Sequence, residues 1–247
     1  MFLLKFVEHT GEIFIFFLKT LSATIKRPPK LRHVLKYMED IGVNAALLII
    51  LTSFFTGGVL VVETYPTFHK FNAEFLMGAL VSLSLARELS PVLVALLVTA
   101  RSGSAIAANI GTMRITEQID ALEVMAVNPY SYLVSPRFLA AIIMVPALTI
   151  LSYVSGVIGG YFTSVYIYGI NDYMYWEKLK DFTELKDIFG GLYKAAVFGG
   201  VLTIITSYFG YITKGGAEGV GRSTTTAVVV ASVLILILDY FLTALIY

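Results

Sequence analysis

FLAAIIMVPALTILSYVSGVIGGYFTSVYIYGIN, residues Phe138 to Asn171, runs for 34 residues without an Asp, Glu, Lys or Arg. A helix rises about 1.5 Å per residue, so this run is about 50 Å long against a hydrocarbon core of about 30 Å. It is too long for one span and too short for two spans with a turn. The expected arrangement is a single membrane span within 138–165, followed by an interfacial stretch, YIYGINDYMYW (Tyr166–Trp176).

Similar runs lie on both sides. Ile41–Val62 has 22 charge-free residues and Ala195–Thr213 has 19, while Ser223–Tyr247 has 25 residues and one charge, Asp239. Across 247 residues only 14% are charged and 57% are hydrophobic. An average soluble domain carries roughly 25% charged residues. The expected fold is an all-α polytopic membrane protein with five transmembrane helices at about 41–62, 75–100, 138–165, 194–213 and 225–245. The second has RELSP (Arg87–Pro91) at its middle.

Ahead of these spans, residues 2–21 read as an amphipathic helix lying in the headgroup plane. Lys5, Glu8, Glu12 and Lys19 share one narrow stripe, and Phe2, Leu3, Phe6, Val7, Ile13, Phe14, Phe17 and Leu21 cover the rest. The competing reading is a poor first span. The prolines of KRPPK (Lys26–Lys30) break the helix, because proline lacks a donor and restricts its predecessor. The chain is therefore expected to divide into an interfacial helix, 1–27, and a membrane domain, 28–247. Lys5, Glu8, His9 and Glu12 interrupt any secretory h-region.

Lys and Arg set orientation. Seven lie before the first span; with Arg101, Arg114 and Arg137, and with Lys214 and Arg222, twelve fall on one side. Lys70, Lys178, Lys180, Lys186 and Lys194 make five on the other, and Arg87 is intramembrane. The N-terminus is expected in the cytoplasm and the C-terminus outside.

Between the second and third spans lies GTMRITEQIDALEVMAVNP (Gly111–Pro129). Placing its four ionisable residues in lipid would cost roughly 2.5–3.5 kcal/mol each, so it belongs in the cytoplasm. Thr116 suits an N-cap, Glu117 the first turn, and Asn128-Pro129 a stop. A helix of about three turns is expected. Ile115, Ile119, Leu122 and Ala126 form its apolar stripe, and Glu117, Asp120 and Glu123 its acidic one. It either rests on the membrane or docks to a soluble protein. An acidic face against an anionic leaflet favours docking.

Other features carry less. Gly156-x-x-x-Gly160, Gly103-x-x-x-Ala107 and Gly199-x-x-x-Thr203 permit close helix contact, most simply within the chain. Gly216–Ser223 nearly fits a phosphate loop, but a membrane span precedes it and Arg222 stands in place of Lys; a flexible cytoplasmic turn is expected. His9, His33 and His69 all precede the second span, so the serines of RSGSA (Arg101–Ala105) have no activating base. No catalytic residue, metal site or cofactor is expected, and nothing points to nucleic acid. Cysteine is absent.

Two long ordered strings carry a resemblance. ARELSPVLVALLVTARSGSAIAANIGTMRITEQIDALEVMAVNPYSYLVSPRF (Ala86–Phe138) resembles the central signature of the MlaE family, permease subunits of Mla/Mce-type ABC lipid transporters. GVGRSTTTAVVVASVLILILDYFLTAL (Gly219–Leu245) looks like the family's C-terminal block. Ser90, Asn109 and Thr226 depart from the commoner Gly, Glu and Arg of the family.

The resemblance implies a homodimeric permease that moves phospholipid between inner and outer membranes, with ATP and magnesium on a separate cytoplasmic ABC ATPase (MlaF-like). A periplasmic MCE-domain protein (MlaD-like) and, in some systems, a STAS-domain protein (MlaB-like) would complete the complex in a bacterial inner membrane. Residues 111–129 would be the coupling helix. Ile119, Leu122 and Met125 would be its buried contacts with the ATPase, and Glu117, Asp120 and Glu123 its ion pairs. Arg87 would meet a lipid phosphate, and Glu88 would orient Arg87 or restrict which headgroups enter, with Glu63 and Tyr65, just past the first span, as lesser candidates for the outer rim. Intramembrane ionisable residues usually face a partner, cavity or substrate; the plain alternative is a structural ion pair beside Pro91. The aromatic Tyr166–Gly190 segment, with Tyr166, Tyr168, Tyr173, Tyr175 and Trp176, reads as an interfacial belt and would adjoin the MCE partner. Rival classes are a secondary transporter for a small solute, which calls for inverted repeats, and an intramembrane enzyme.

Overall fold

In the computed structural model the described residues are 2–26 and 28–247, with side chains described for 10–26 and 28–247. The stripe positions Phe2, Leu3, Lys5, Phe6, Val7 and Glu8, and Arg27, therefore fall outside the described side chains. Eight helices and no strand are present among the described residues. We number them α1 (Phe2–Lys26), α2 (Leu31–Lys70), α3 (Glu74–Ile115), α4 (Gln118–Val124), α5 (Tyr130–Ile167), α6 (Asp172–Phe182), α7 (Leu185–Tyr211) and α8 (Gly216–Ile246).

Five of these, α2, α3, α5, α7 and α8, are long and apolar enough to cross a membrane. All five are longer than expected, although α7 ends at Tyr211, just short of its expected C-terminal bound. The charge-free run marks only the part that sits in hydrocarbon, whereas a helix continues into the headgroups as long as its carbonyls find donors. Thus α3 has 42 residues rather than about 26, and α2 passes through Pro66 to Lys70. The sequence Gly216–Ser223 is not a flexible turn but the first two turns of α8. The bend itself lies at Gly215 and Gly216, whose φ of +90° and +68° favour glycine.

The pairing of α2 with α5 sets the bundle's centre. Gly57 and Gly156 meet so closely that a Cβ at Gly57 would sit 1.9 Å from the Gly156 carbonyl oxygen. Ser53 and Ser152 hydroxyls are 2.7 Å apart across the same contact, and Ser155 donates to the Ile50 carbonyl at 2.7 Å. Small residues let two backbones approach and then exchange polar contacts, which is how helices associate where lipid removes the hydrophobic drive. The small-residue pairs therefore serve contacts within the chain: Gly199 faces the Ala141 carbonyl and Gly103 faces Thr206.

Helix α1 is not among the five apolar spans. Its inward face is Phe16, Thr20 and Ala23, all buried, and Phe16 sits among the rings of Tyr130, Tyr208 and Tyr211. Phe14, Ile15, Leu18 and Ile25 are exposed on its other side. Glu12, expected on the polar stripe, accepts a short hydrogen bond from the Tyr208 hydroxyl and so ties α1 to α7.

Helix α6 caps the opposite end. Tyr166 and Tyr173 are exposed there, as a belt requires, but Tyr175 is fully buried and donates to the Val157 carbonyl at 3.0 Å. Burial raises its phenol pKa well above the ordinary value. Tyr175 is a core residue and does not belong to the belt.

Candidate functional site

The middle of α3 carries the charges. Residues Leu85–Leu89 form one wide π turn, immediately followed by Ser90-Pro91. Such turns shift the register of a helix and recur where side chains are re-aimed for function. Pro91 has no N–H, so the Arg87 carbonyl lacks the donor that an α-helix would place four residues on. Lys194 of α7 fills that place: its Nζ donates to the Arg87 carbonyl oxygen at 2.9 Å.

Lys194 is fully buried, and its other acceptors are Glu88 Oε2 at 2.7 Å and Thr243 Oγ1 at 2.8 Å. Asp239 Oδ1 lies 2.7 Å from the same ammonium. Thr243 in turn donates towards Glu88. One cation from α7 thus ties α3 to α8 through two carboxylates.

Arg87 points to a different partner. Its Nε donates to Asp187 Oδ1 at 2.8 Å, and its guanidinium lies 4.7 Å from the centre of the Tyr247 ring. Asp187 is almost completely buried and also accepts from the Glu184 N–H at 3.0 Å, as part of the capping box that starts α7. Tyr247 closes the arrangement by donating to the Asp187 carbonyl at 3.1 Å. The Arg87 side chain remains 41% exposed, and its bond to Asp187 uses Nε alone. Among the described residues, neither terminal guanidinium nitrogen bonds to another side chain. The cluster holds three carboxylates (Glu88, Asp187, Asp239) against two cations (Arg87, Lys194).

Arg87 and Glu88 were legible in the sequence as an intramembrane pair, but they do not bond to each other; each is held by a residue of α7. Asp187, Lys194, Asp239, Thr243 and Tyr247 were missed. The signal for Asp239 was its isolation as the one charge in an apolar run. Lys194, counted with the external loop, lies inside the fourth span. Glu63 and Tyr65 lie within α2 rather than beyond it. Tyr65 stacks on Tyr168 at 3.9 Å and on His69 at 5.4 Å, and Glu63 is exposed. Among the described residues neither bonds to the charged cluster.

At the other end of α3, the residues from Gly111 to Ile115 continue the span, and Thr116 is its C-cap rather than the N-cap of a new helix. The chain turns at Glu117 with φ +58°, makes two turns of α4 instead of three, and turns again at Ala126 with φ +57°. Left-handed backbone at two non-glycine residues bounds this helix sharply.

The stripe expected to face a partner is divided. Ile119 is fully buried in the bundle's own core and Leu122 packs against that core. Asp120 is paired with Arg114, and Glu123 accepts from the Tyr211 hydroxyl at 3.0 Å. These four fasten α4 to α3 and α7. Facing outward are Glu117, Val124 at 88% exposure and Met125 at 64%.

Comparison with known proteins agrees with this architecture. A family model described as "Permease MlaE" matches residues 34–245. A probable ABC transporter permease protein of Rickettsia typhi is 42% identical over 99% of this chain and 94% of its own length. The intermembrane phospholipid transport system permease protein MlaE of Haemophilus influenzae is 37% identical over 99% of this chain and 98% of its own. The chloroplastic protein TRIGALACTOSYLDIACYLGLYCEROL 1 of Arabidopsis thaliana is 34% identical over 86% of this chain and 61% of its own.

Proposed function

The chain belongs to the MlaE permease family, and on that premise we propose that it carries glycerophospholipid between the inner and outer membranes of a diderm bacterium. It is an ABC transporter permease of the MlaE type, and the finer reading is of substrate, orientation and partners. The observation that carries it is Arg87. Its Nε is fixed by a buried carboxylate while neither terminal nitrogen bonds to another side chain among the described residues, and a planar guanidinium held in this way suits a phosphate oxygen pair. Glu88, tied to Lys194, keeps a negative edge beside it and selects against headgroups whose charge is wholly negative.

Chemistry is absent from this role. The work comes from ATP and magnesium on a separate cytoplasmic ATPase, which biases two arrangements of the spans. Helix α4 is the element we assign to that ATPase, with Val124 and Met125 entering an apolar groove and Glu117 meeting a basic residue. Ile119, Leu122, Asp120 and Glu123 make α4 rigid on the permease, so that a push on the exposed face moves α3 and α7 together. The orientation follows the charge bias. With Lys194 and Arg137, both buried within spans, set aside, four cations remain on the external side against eleven, which supports a cytoplasmic N-terminus and a periplasmic C-terminus. The exposed Tyr166 and Tyr173 beside α6 are the surface for a periplasmic MCE-domain partner, and a second copy of the chain completes the permease.

Native purification from source membranes tests the reading. An accompanying P-loop ATPase, an MCE-domain protein and tightly held phospholipid are expected. A solitary, lipid-free chain that does not respond to ATP overturns it.

A further inference from the structure

A second charged cavity lies away from the Arg87 cluster, at the end of the bundle that bears α4. Its volume is about 390 Å³, and the first turns of α2, the end of α3 and the start of α5 enclose it. Lys36, Arg101 and Arg137 line it, against a single carboxylate, Asp40. Arg101 stands fourteen residues beyond Arg87, roughly 21 Å along the same helix, so the two sites are distinct.

Arg137 makes this more than a basic surface. It is 3% exposed, and each of its partners is neutral: the Leu133 carbonyl at 2.6 Å, Asn109 Oδ1 at 2.8 Å and the face of Tyr37 at 4.4 Å. Among the described residues no carboxylate lies within ion-pairing distance of it. Asp40, in the same cavity, is the one carboxylate that faces it, and it stands beyond ion-pairing distance. A buried charge so weakly compensated is unfavourable, and here it lines an open cavity that also carries two further cations, Lys36 and Arg101. Ile41 and Ile106 supply apolar wall. An anion with an apolar attachment fits all three features.

We propose that this cavity binds a phosphate-class oxyanion, and that its occupant is the phosphodiester of a membrane glycerophospholipid in the leaflet on the α4 side. Arg137 is the buried anchor, Lys36 and Arg101 close over the headgroup, and Asn109 orients Arg137 without neutralising it. The site rests on the membrane-spanning reading alone and stands whether or not Arg87 meets a headgroup.

The test uses the purified full-length protein with its co-purifying partners, delipidated in detergent, in an Arg87→Lys background that weakens binding at the other cluster. Labelled phosphatidylglycerol is the probe, and a diacylglycerol with the same chains or inorganic phosphate is the competitor. Asn109→Glu places a carboxylate beside Arg137 without opening the core. It is expected to weaken phosphatidylglycerol binding roughly tenfold, as charge-assisted bonds are lost, while raising the melting temperature. Lys36→Gln with Arg101→Gln is expected to weaken binding several-fold, and diacylglycerol to displace nothing. Displacement by millimolar phosphate identifies a soluble anion as able to supply the same chemistry; no displacement assigns the site to the lipid alone. Binding that is indifferent to Asn109→Glu and to the double variant, or diacylglycerol displacing the probe fully, overturns the proposal.

Discussion

Lys194 Nζ donates to the main-chain carbonyl of Arg87 at 2.9 Å, taking the place of the helical donor that Pro91 cannot supply. One sequence feature, a proline four residues after an arginine, thereby decides how three spans are tied together. The same ammonium meets Glu88 of α3 and Asp239 of α8. Its loss should be felt in all three helices.

Lys194→Met is expected to destabilise the permease by about 3–5 kcal/mol, because two carboxylates lose their buried counter-charge. Adding Asp239→Asn and Glu88→Gln should recover most of the loss. Thermal unfolding in detergent reads both steps; a triple variant no better than the single one would show that the ammonium acts through the Arg87 carbonyl alone.

Arg87→Lys keeps the positive charge opposite Asp187 but removes the planar fork. Retention of co-purified phospholipid should fall about tenfold, with the melting temperature little changed. Equal lipid content in the two proteins would remove Arg87 from headgroup recognition.

The two faces of α4 should separate cleanly. Val124→Asp with Met125→Asp is expected to abolish ATPase co-purification from a folded permease. Ile119→Ala empties a fully buried position and should cost about 2–5 kcal/mol in stability. Charge reversal at Glu117 belongs with the first effect; reversal at Glu123 also breaks the bond from Tyr211.

Gly57→Ala is expected to prevent α2 and α5 from closing, since the added carbon would lie 1.9 Å from a backbone oxygen. Gly11→Ala in α1 meets nothing within 4 Å and should be neutral or stabilising by up to about 1 kcal/mol. Folded yield in detergent distinguishes the two.

The five spans and the polar break between the second and third were legible because lipid tolerates few charges, so apolar run length reports directly on crossing. Helix ends were less so. Arg101, Arg114 and Lys186 lie on helices that leave the hydrocarbon while staying helical, and composition registers the lipid boundary instead of the backbone's. Within the site, Arg87 and Glu88 stood out as ionisable residues inside a span. Their partners Asp187 and Lys194 are 100 and 106 residues away in sequence, and no local pattern announces such a pairing. Helix α4 shows the same limit: periodicity identified its two stripes, but only tertiary packing shows that the Ile119 side is held by the permease and the Val124 side is free.

The central claim is that this chain is the lipid pathway of an ATP-driven transporter, and reconstituted transfer tests it most directly. The complex in proteoliposomes should move a labelled glycerophospholipid to acceptor vesicles only when ATP is hydrolysed. The wild type should exceed Arg87→Lys about tenfold, and Val124→Asp with Met125→Asp should show no transfer. Transfer that proceeds without ATP, or that is equal in all three proteins, would contradict it.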